Sequence, residues 1–189
     1  MRFPKGLIVL VAGCLSAASL NAQARDPRIG EWREDRTANS GGLYNVFEDR
    51  GDGMIRYHIA HNLAPENRFY LDYRCDGKFY PIRNSQRIAT DYSESCTIID
   101  ANTVTIQGLR NRDRDFKGPK MDEGWLDGEG TGTVSSDGNH YRIAIQQRGV
   151  DGKELGTMVR SFTRNAQRCF SEDEQTYREC QRRTSPPRN

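Results

Sequence analysis

Residues Gly130 to Arg164, GTGTVSSDGNHYRIAIQQRGVDGKELGTMVRSFTR, decide the fold. Two Asp-Gly pairs, Asp137-Gly138 and Asp151-Gly152, separate three β-prone runs. Asp-Gly supplies the positive φ angles of a tight hairpin turn, so the stretch reads as an antiparallel meander of three strands. In the middle run Tyr141, Ile143 and Ile145 lie on one face, with Arg142, Gln146 and Arg148 on the other. That period of two belongs to a half-buried strand, one face on a core and one in water.

The same grammar recurs upstream. Leu43–Glu48 and Met54–His61 flank Arg50-Gly51-Asp52-Gly53, and Ile55, Tyr57 and Ile59 alternate with Arg56 and His58. Arg68–Cys75 and Lys78–Ile82 flank Asp76-Gly77, with Pro81 marking an edge or strand end. Cys96–Asp100 and Thr103–Leu109 flank Ala101-Asn102, with Ile98, Val104 and Ile106 as core candidates. About ten short strands with turn signals every ~8–12 residues predict an all-β antiparallel barrel or sandwich. Between strands, Asn111 to Glu129 (NRDRDFKGPKMDEGWLDGE) is highly charged and broken by Gly118-Pro119, and is expected to be a lid or rim loop.

The two ends read differently. Arg2 and Lys5, an apolar run from Gly6 to Leu20, and Ala22-Gln23-Ala24 form the pattern of a secretion signal over 1–24. The expectation is a periplasmic or secreted protein with no transmembrane segment after signal removal; Val11-Ala12-Gly13-Cys14 leaves lipidation at Cys14 as the minority alternative. Arg2 and Lys5 are the signal's share of 28 basic residues, and none of the 26 acidic ones lies there, so the remainder is balanced in charge. That balance gives no general attraction for nucleic acid. Residues 25–166 are the expected barrel domain and 167–189 a tail. In the tail Ser171-Glu172-Asp173-Glu174 forms a capping box, and Arg178, Arg182 and Arg183 suit the end of a short α-helix. Cys75, Cys96, Cys169 and Cys180 remain after processing, and an even count in an exported chain suggests two disulfides. Three pairings are open; sequence order favours Cys75–Cys96 and Cys169–Cys180. Without a C-x-x-C pair no metal site is expected, and no cofactor is implied.

Gly30-Glu31-Trp32 resembles the Gly-x-Trp signature of lipocalin-like (calycin) barrels. The order of that motif, the Gly51-Asp52-Gly53 hairpin, Tyr73-Arg74-Cys75-Asp76-Gly77-Lys78 and Val134-Ser135-Ser136-Asp137-Gly138 is similar to small exported bacterial lipocalin-like proteins of unassigned function. The resemblance spans Ile29 to Arg164. It implies an up-and-down barrel with an apolar pocket, in which Trp32 closes one end under an Arg from the last strand, Arg160 or Arg164.

Candidate chemistry is sparse. His58 and His61 stand three apart in a strand, on opposite faces, and read as a solvated or rim pair rather than metal ligands. The acidic residues of the 111–129 stretch are interleaved with basic ones and lack EF-hand spacing, and no G-x-S-x-G is present. The surplus of tyrosine is more telling. Tyr57, Tyr70, Tyr73 and Tyr80 are the expected ligand-binding residues of a barrel mouth. The expected function is non-catalytic binding of a small apolar or amphiphilic molecule. The alternative is a protein-interaction module, an inhibitor or immunity-like factor for an envelope or secreted enzyme, acting through residues 111–129 and the tail. An envelope hydrolase is the third reading.

Overall fold

The computed structural model describes residues 25–35, 43–61, 64–112 and 124–165, with positions 175, 176, 179, 180 and 183 of the tail. The expected signal, Cys14, Cys169, the capping box and residues 113–123 lie outside them. Ten strands run in order: β1 (Gly30–Glu34), β2 (Leu43–Gly51), β3 (Met54–His61), β4 (Ala64–Tyr73), β5 (Tyr80–Arg83), β6 (Ala89–Ile98), β7 (Thr103–Asn111), β8 (Gly124–Val134), β9 (His140–Arg148) and β10 (Glu154–Arg164). Each pairs antiparallel with its neighbour, and β1 pairs with β10 as well as β2, closing the sheet into a barrel. Closure leaves no unpaired edge to template association.

The meander of β8, β9 and β10 forms one wall. Its turns place Gly138 and Gly152 at φ 73° and 78°, the conformation that Asp-Gly provides. Alternation decides the interior: Tyr141, Ile143 and Ile145 face inward from β9, as do Val104 and Ile106 from β7 and Phe47 from β2. The five described tail positions are helical, and Cys180 is disulfide-bonded.

The expected loop over 111–129 is shorter than its composition suggests. Asn111 ends β7, and Gly124 to Glu129 belong to β8, with Asn111 paired to Gly124. Gly108 pairs with Gly128 and Leu109 with Leu126, leaving Asp127 as the extra residue of a β-bulge. A bulge breaks the two-residue period, so Gly124-Trp125-Leu126-Asp127 does not look like a strand in sequence.

One end of the barrel is sealed. Trp32 is fully buried, tilted against Tyr141 at 5.4 Å, while Phe47 stacks on Tyr57 at 4.4 Å and Tyr141 on Phe162 at 5.6 Å. The Cys75–Cys96 disulfide staples the segment after β4 to β6 near this end. By strand direction the opposite end carries the starts of β2, β8 and β10.

Candidate functional site

The sealed end is built around an arginine. Ile29 N–H donates to the Asp26 carbonyl at 3.3 Å, a turn that drives Arg28 into the barrel. Its Nε and Nη2 donate to the two carboxylate oxygens of Asp26 at 3.0 and 2.7 Å, and Nη2 also donates to the Tyr73 hydroxyl at 2.6 Å. The guanidinium lies 4.7 Å from the centre of the Phe47 ring. Both ions are essentially without solvent contact, so each survives burial only through the other and its hydrogen bonds. Trp32 Nε1 donates to the Arg28 carbonyl at 2.7 Å, which locks the turn to β1.

Arg164 covers Trp32 from outside, its guanidinium 4.2 Å from the indole centre. It donates to the carbonyls of Ile29 at 3.0 Å and Gly138 at 2.5 Å. Gly30, at φ 137°, leaves room for this arginine, because a Cβ there would run into its guanidinium. Arg160 stands elsewhere, donating to Glu34 at 2.9 Å. Of the two arginines the resemblance left open, Arg164 therefore sits at the tryptophan.

Above the sealed end the barrel holds a hollow of about 370 Å³. Arg28, Phe47, Tyr141 and Phe162 form its floor, and Ile82, Ile106, Ile143 and Ile145 its walls. Arg110, Asp127 and Arg160 stand at the other end. The bulge carries Asp127 to this position, where it accepts from Arg110 Nη2 at 3.4 Å. Tyr92 lies over Gly108, whose missing side chain gives the ring its place, and Arg110 lies 5.2 Å from the ring centre. A volume in the low hundreds of Å³, with apolar walls and few polar groups, has the character of a small-molecule pocket. A larger hollow of about 1090 Å³ lies beside residues 25–31, but charged groups such as Asp26, Glu48 and Arg164 line it. The interior is the better candidate.

Glu94 is the electrostatic exception inside. It projects from β6 into the hollow, and burial pushes its carboxyl up to about 7, with Arg28 pulling the other way. Its partial exposure is exposure to the hollow. Burial also raises the hydroxyls of Tyr57 and Tyr73 well above the usual phenol range, and that of Tyr141 to about 12.

No protein-family model and no curated protein sequence matches the chain. Among solved structures it is similar to fatty-acid-binding protein 1 of Echinococcus granulosus, with a TM-score of 0.47 and 10% sequence identity over 74% of this chain and 98% of that one. At that distance the likeness carries no argument about what this barrel holds.

The four tyrosines expected to bind ligand do not converge. Tyr57 lines the hollow. Tyr73 points inward but is held beneath the floor by Arg28, and Tyr80 donates from outside the hollow to Asp76 at 3.1 Å. Tyr70 is one residue out of phase with the inward-facing Leu71, so it packs outside the barrel near His58, with Arg87 5.3 Å from its ring centre. His58 is no solvated histidine: it is buried, its Nε2 3.3 Å from Glu48. The side chain of His61 lies outside the described residues. Asp26, Cys75 and Cys96 bring ligand-type atoms together, but both sulfurs are committed to the disulfide.

Sequence reasoning missed Arg28 and Glu94. The signal for Glu94 was present: stepping back by two from Ile98 and the buried Cys96 puts Glu94 and Tyr92 on the inner face. Arg28 carried a weaker one, an Asp-x-Arg spacing separated from Gly-x-Trp by Ile29 alone.

Proposed function

We propose that this chain is an exported, non-catalytic binding protein that takes a small apolar or amphiphilic molecule inside its barrel. The observation that carries the reading is the hollow of about 370 Å³ inside the barrel, walled by Ile106, Ile143 and Ile145 over an aromatic floor. At ~30 Å³ of liquid volume per water, that space equals about a dozen water-sized groups, which suits a compact ring system better than a long chain. A probe of about nine non-hydrogen atoms, at ~0.5 kcal/mol each, binds with roughly −4.5 kcal/mol, a sub-millimolar affinity.

Titration calorimetry with 2-phenylethanol tests this. The expected result is sub-millimolar binding that Ile143→Trp removes by filling the hollow and that Ile99→Trp, on the exposed surface, leaves intact. Equal binding by the unaltered chain and Ile143→Trp, with both folded by circular dichroism, would contradict the reading.

A further inference from the structure

We propose that the ligand of this barrel carries a cationic hydrogen-bond donor, as a small arylalkyl amine does, and that Glu94 receives it. This rests on the reading of the hollow as a binding site and adds the chemistry of its occupant.

The charges that line the hollow balance at every residue but one. Arg28 is neutralised by Asp26 through two hydrogen bonds. Arg110 lies 3.5 Å from Asp91 and 3.4 Å from Asp127, and Arg160 lies 2.9 Å from Glu34. Glu94 remains: among the described residues its carboxylate has no hydrogen bond and no ion pair. Arg28 is near enough to favour its ionised form, yet Nε and Nη2 are turned to Asp26 and Tyr73. A carboxylate in a hollow of this kind, without a partner, is costly unless a ligand supplies the missing positive charge or the group takes up a proton. An anionic occupant would add a second uncompensated negative charge. An ammonium on a short arm from an aromatic ring would place its charge on Glu94 and its ring against Ile106 and Tyr141, both of which line the same space.

Binding of a cation at Glu94 depends on pH. The carboxyl titrates at about 7, so the ammonium meets a carboxylate above neutrality and a neutral acid below it. The groups that share the hollow with Glu94 and carry charge or titrate are Arg28, Arg110, Arg160, Asp127 and the tyrosines Tyr57, Tyr92 and Tyr141. Burial holds these three phenols above their usual range, and no histidine of the described residues lines the space.

The experiment is calorimetric titration of the purified protein with three eight-carbon probes of similar size: phenethylamine, 2-phenylethanol and phenylacetate. At pH 8.5 the amine should bind at least tenfold tighter than the alcohol, and the carboxylate weaker than both. Lowering the pH to 5.5 should cost the amine about tenfold or more and leave the alcohol unchanged. Glu94→Gln should bring the amine to within about threefold of the alcohol and abolish its pH dependence, with an unchanged circular dichroism spectrum serving as proof of an intact fold. Alcohol binding with no advantage for the amine, tighter binding of the carboxylate, or an amine affinity unaffected by Glu94→Gln would overturn the inference while leaving the hollow as a binding site. No binding of any probe would overturn both.

Discussion

Removing the guanidinium of Arg28 while leaving Asp26 in place should be among the most damaging single changes in this barrel. Arg28→Met keeps much of the aliphatic stem but withdraws both hydrogen bonds to Asp26 and the bond to the Tyr73 hydroxyl. Asp26 is left as a buried carboxylate whose remaining hydrogen bond is from the Arg28 backbone N–H at 2.8 Å. Breaking a buried pair from one side costs about 3–5 kcal/mol, mostly the penalty of the stranded charge. For a domain of this size each kcal/mol lowers Tm by about 2–4 °C, so the expected fall is roughly 6–20 °C. Asp26→Leu in the same chain removes the stranded charge, and the double variant should recover at least half of the loss. The assay is thermal and guanidinium unfolding of the disulfide-intact protein, followed by circular dichroism. A single variant within 2 °C of the unaltered chain would refute the claim that this pair holds the sealed end together. So would a double variant no more stable than the single.

Three further outcomes follow from the same geometry. Replacing Cys75 and Cys96 together by Ser opens a loop of sequence separation 21 and should cost about 3 kcal/mol, read as a lower denaturant midpoint. Glu94, an acid near 4.5 when unfolded and about 7 when folded, binds more protons in the native state between those values. Stability should therefore fall as pH rises from about 4.5 through 7 and level off above; Glu94→Gln should flatten that slope and raise stability at pH 8 by ~1–3 kcal/mol, measured by urea titration at pH 5 and 8. Gly108→Val places a side chain where the Tyr92 ring lies and should destabilise the fold by about 1–3 kcal/mol in chemical denaturation, together with weaker 2-phenylethanol binding.

Where the chain obeys a simple period, its structure could be read in advance. The alternation of Tyr141, Ile143 and Ile145 and the Asp-Gly turns around it fix β9 and its neighbours, because each step of two lands on the same wall. Reading failed where the period breaks: the bulge at Asp127 disguises Gly124 to Glu129 as loop, and carries Asp127 to the end of the barrel beside Arg110. Among the site residues, residue type misled more than position. Tyr70 has the expected chemistry but the wrong phase, whereas Glu94 has the right phase and a side chain that binary patterning assigns to water. Arg28 escaped because a charged residue before the first strand resembles a solvated terminus. Its burial depends on Asp26 two residues earlier and Tyr73 forty-five residues later, and the second of these partners is fixed only by the closed barrel.

An NMR titration of methyl-labelled protein with 2-phenylethanol reports directly where the ligand sits. If the barrel interior is the binding site, the largest shifts fall on Ile106, Ile143 and Ile145, and the exposed Ile99 and Leu155 stay still. Shifts confined to Ile99, Leu155 and their surroundings, or no saturable shift at the inner isoleucines, would contradict it.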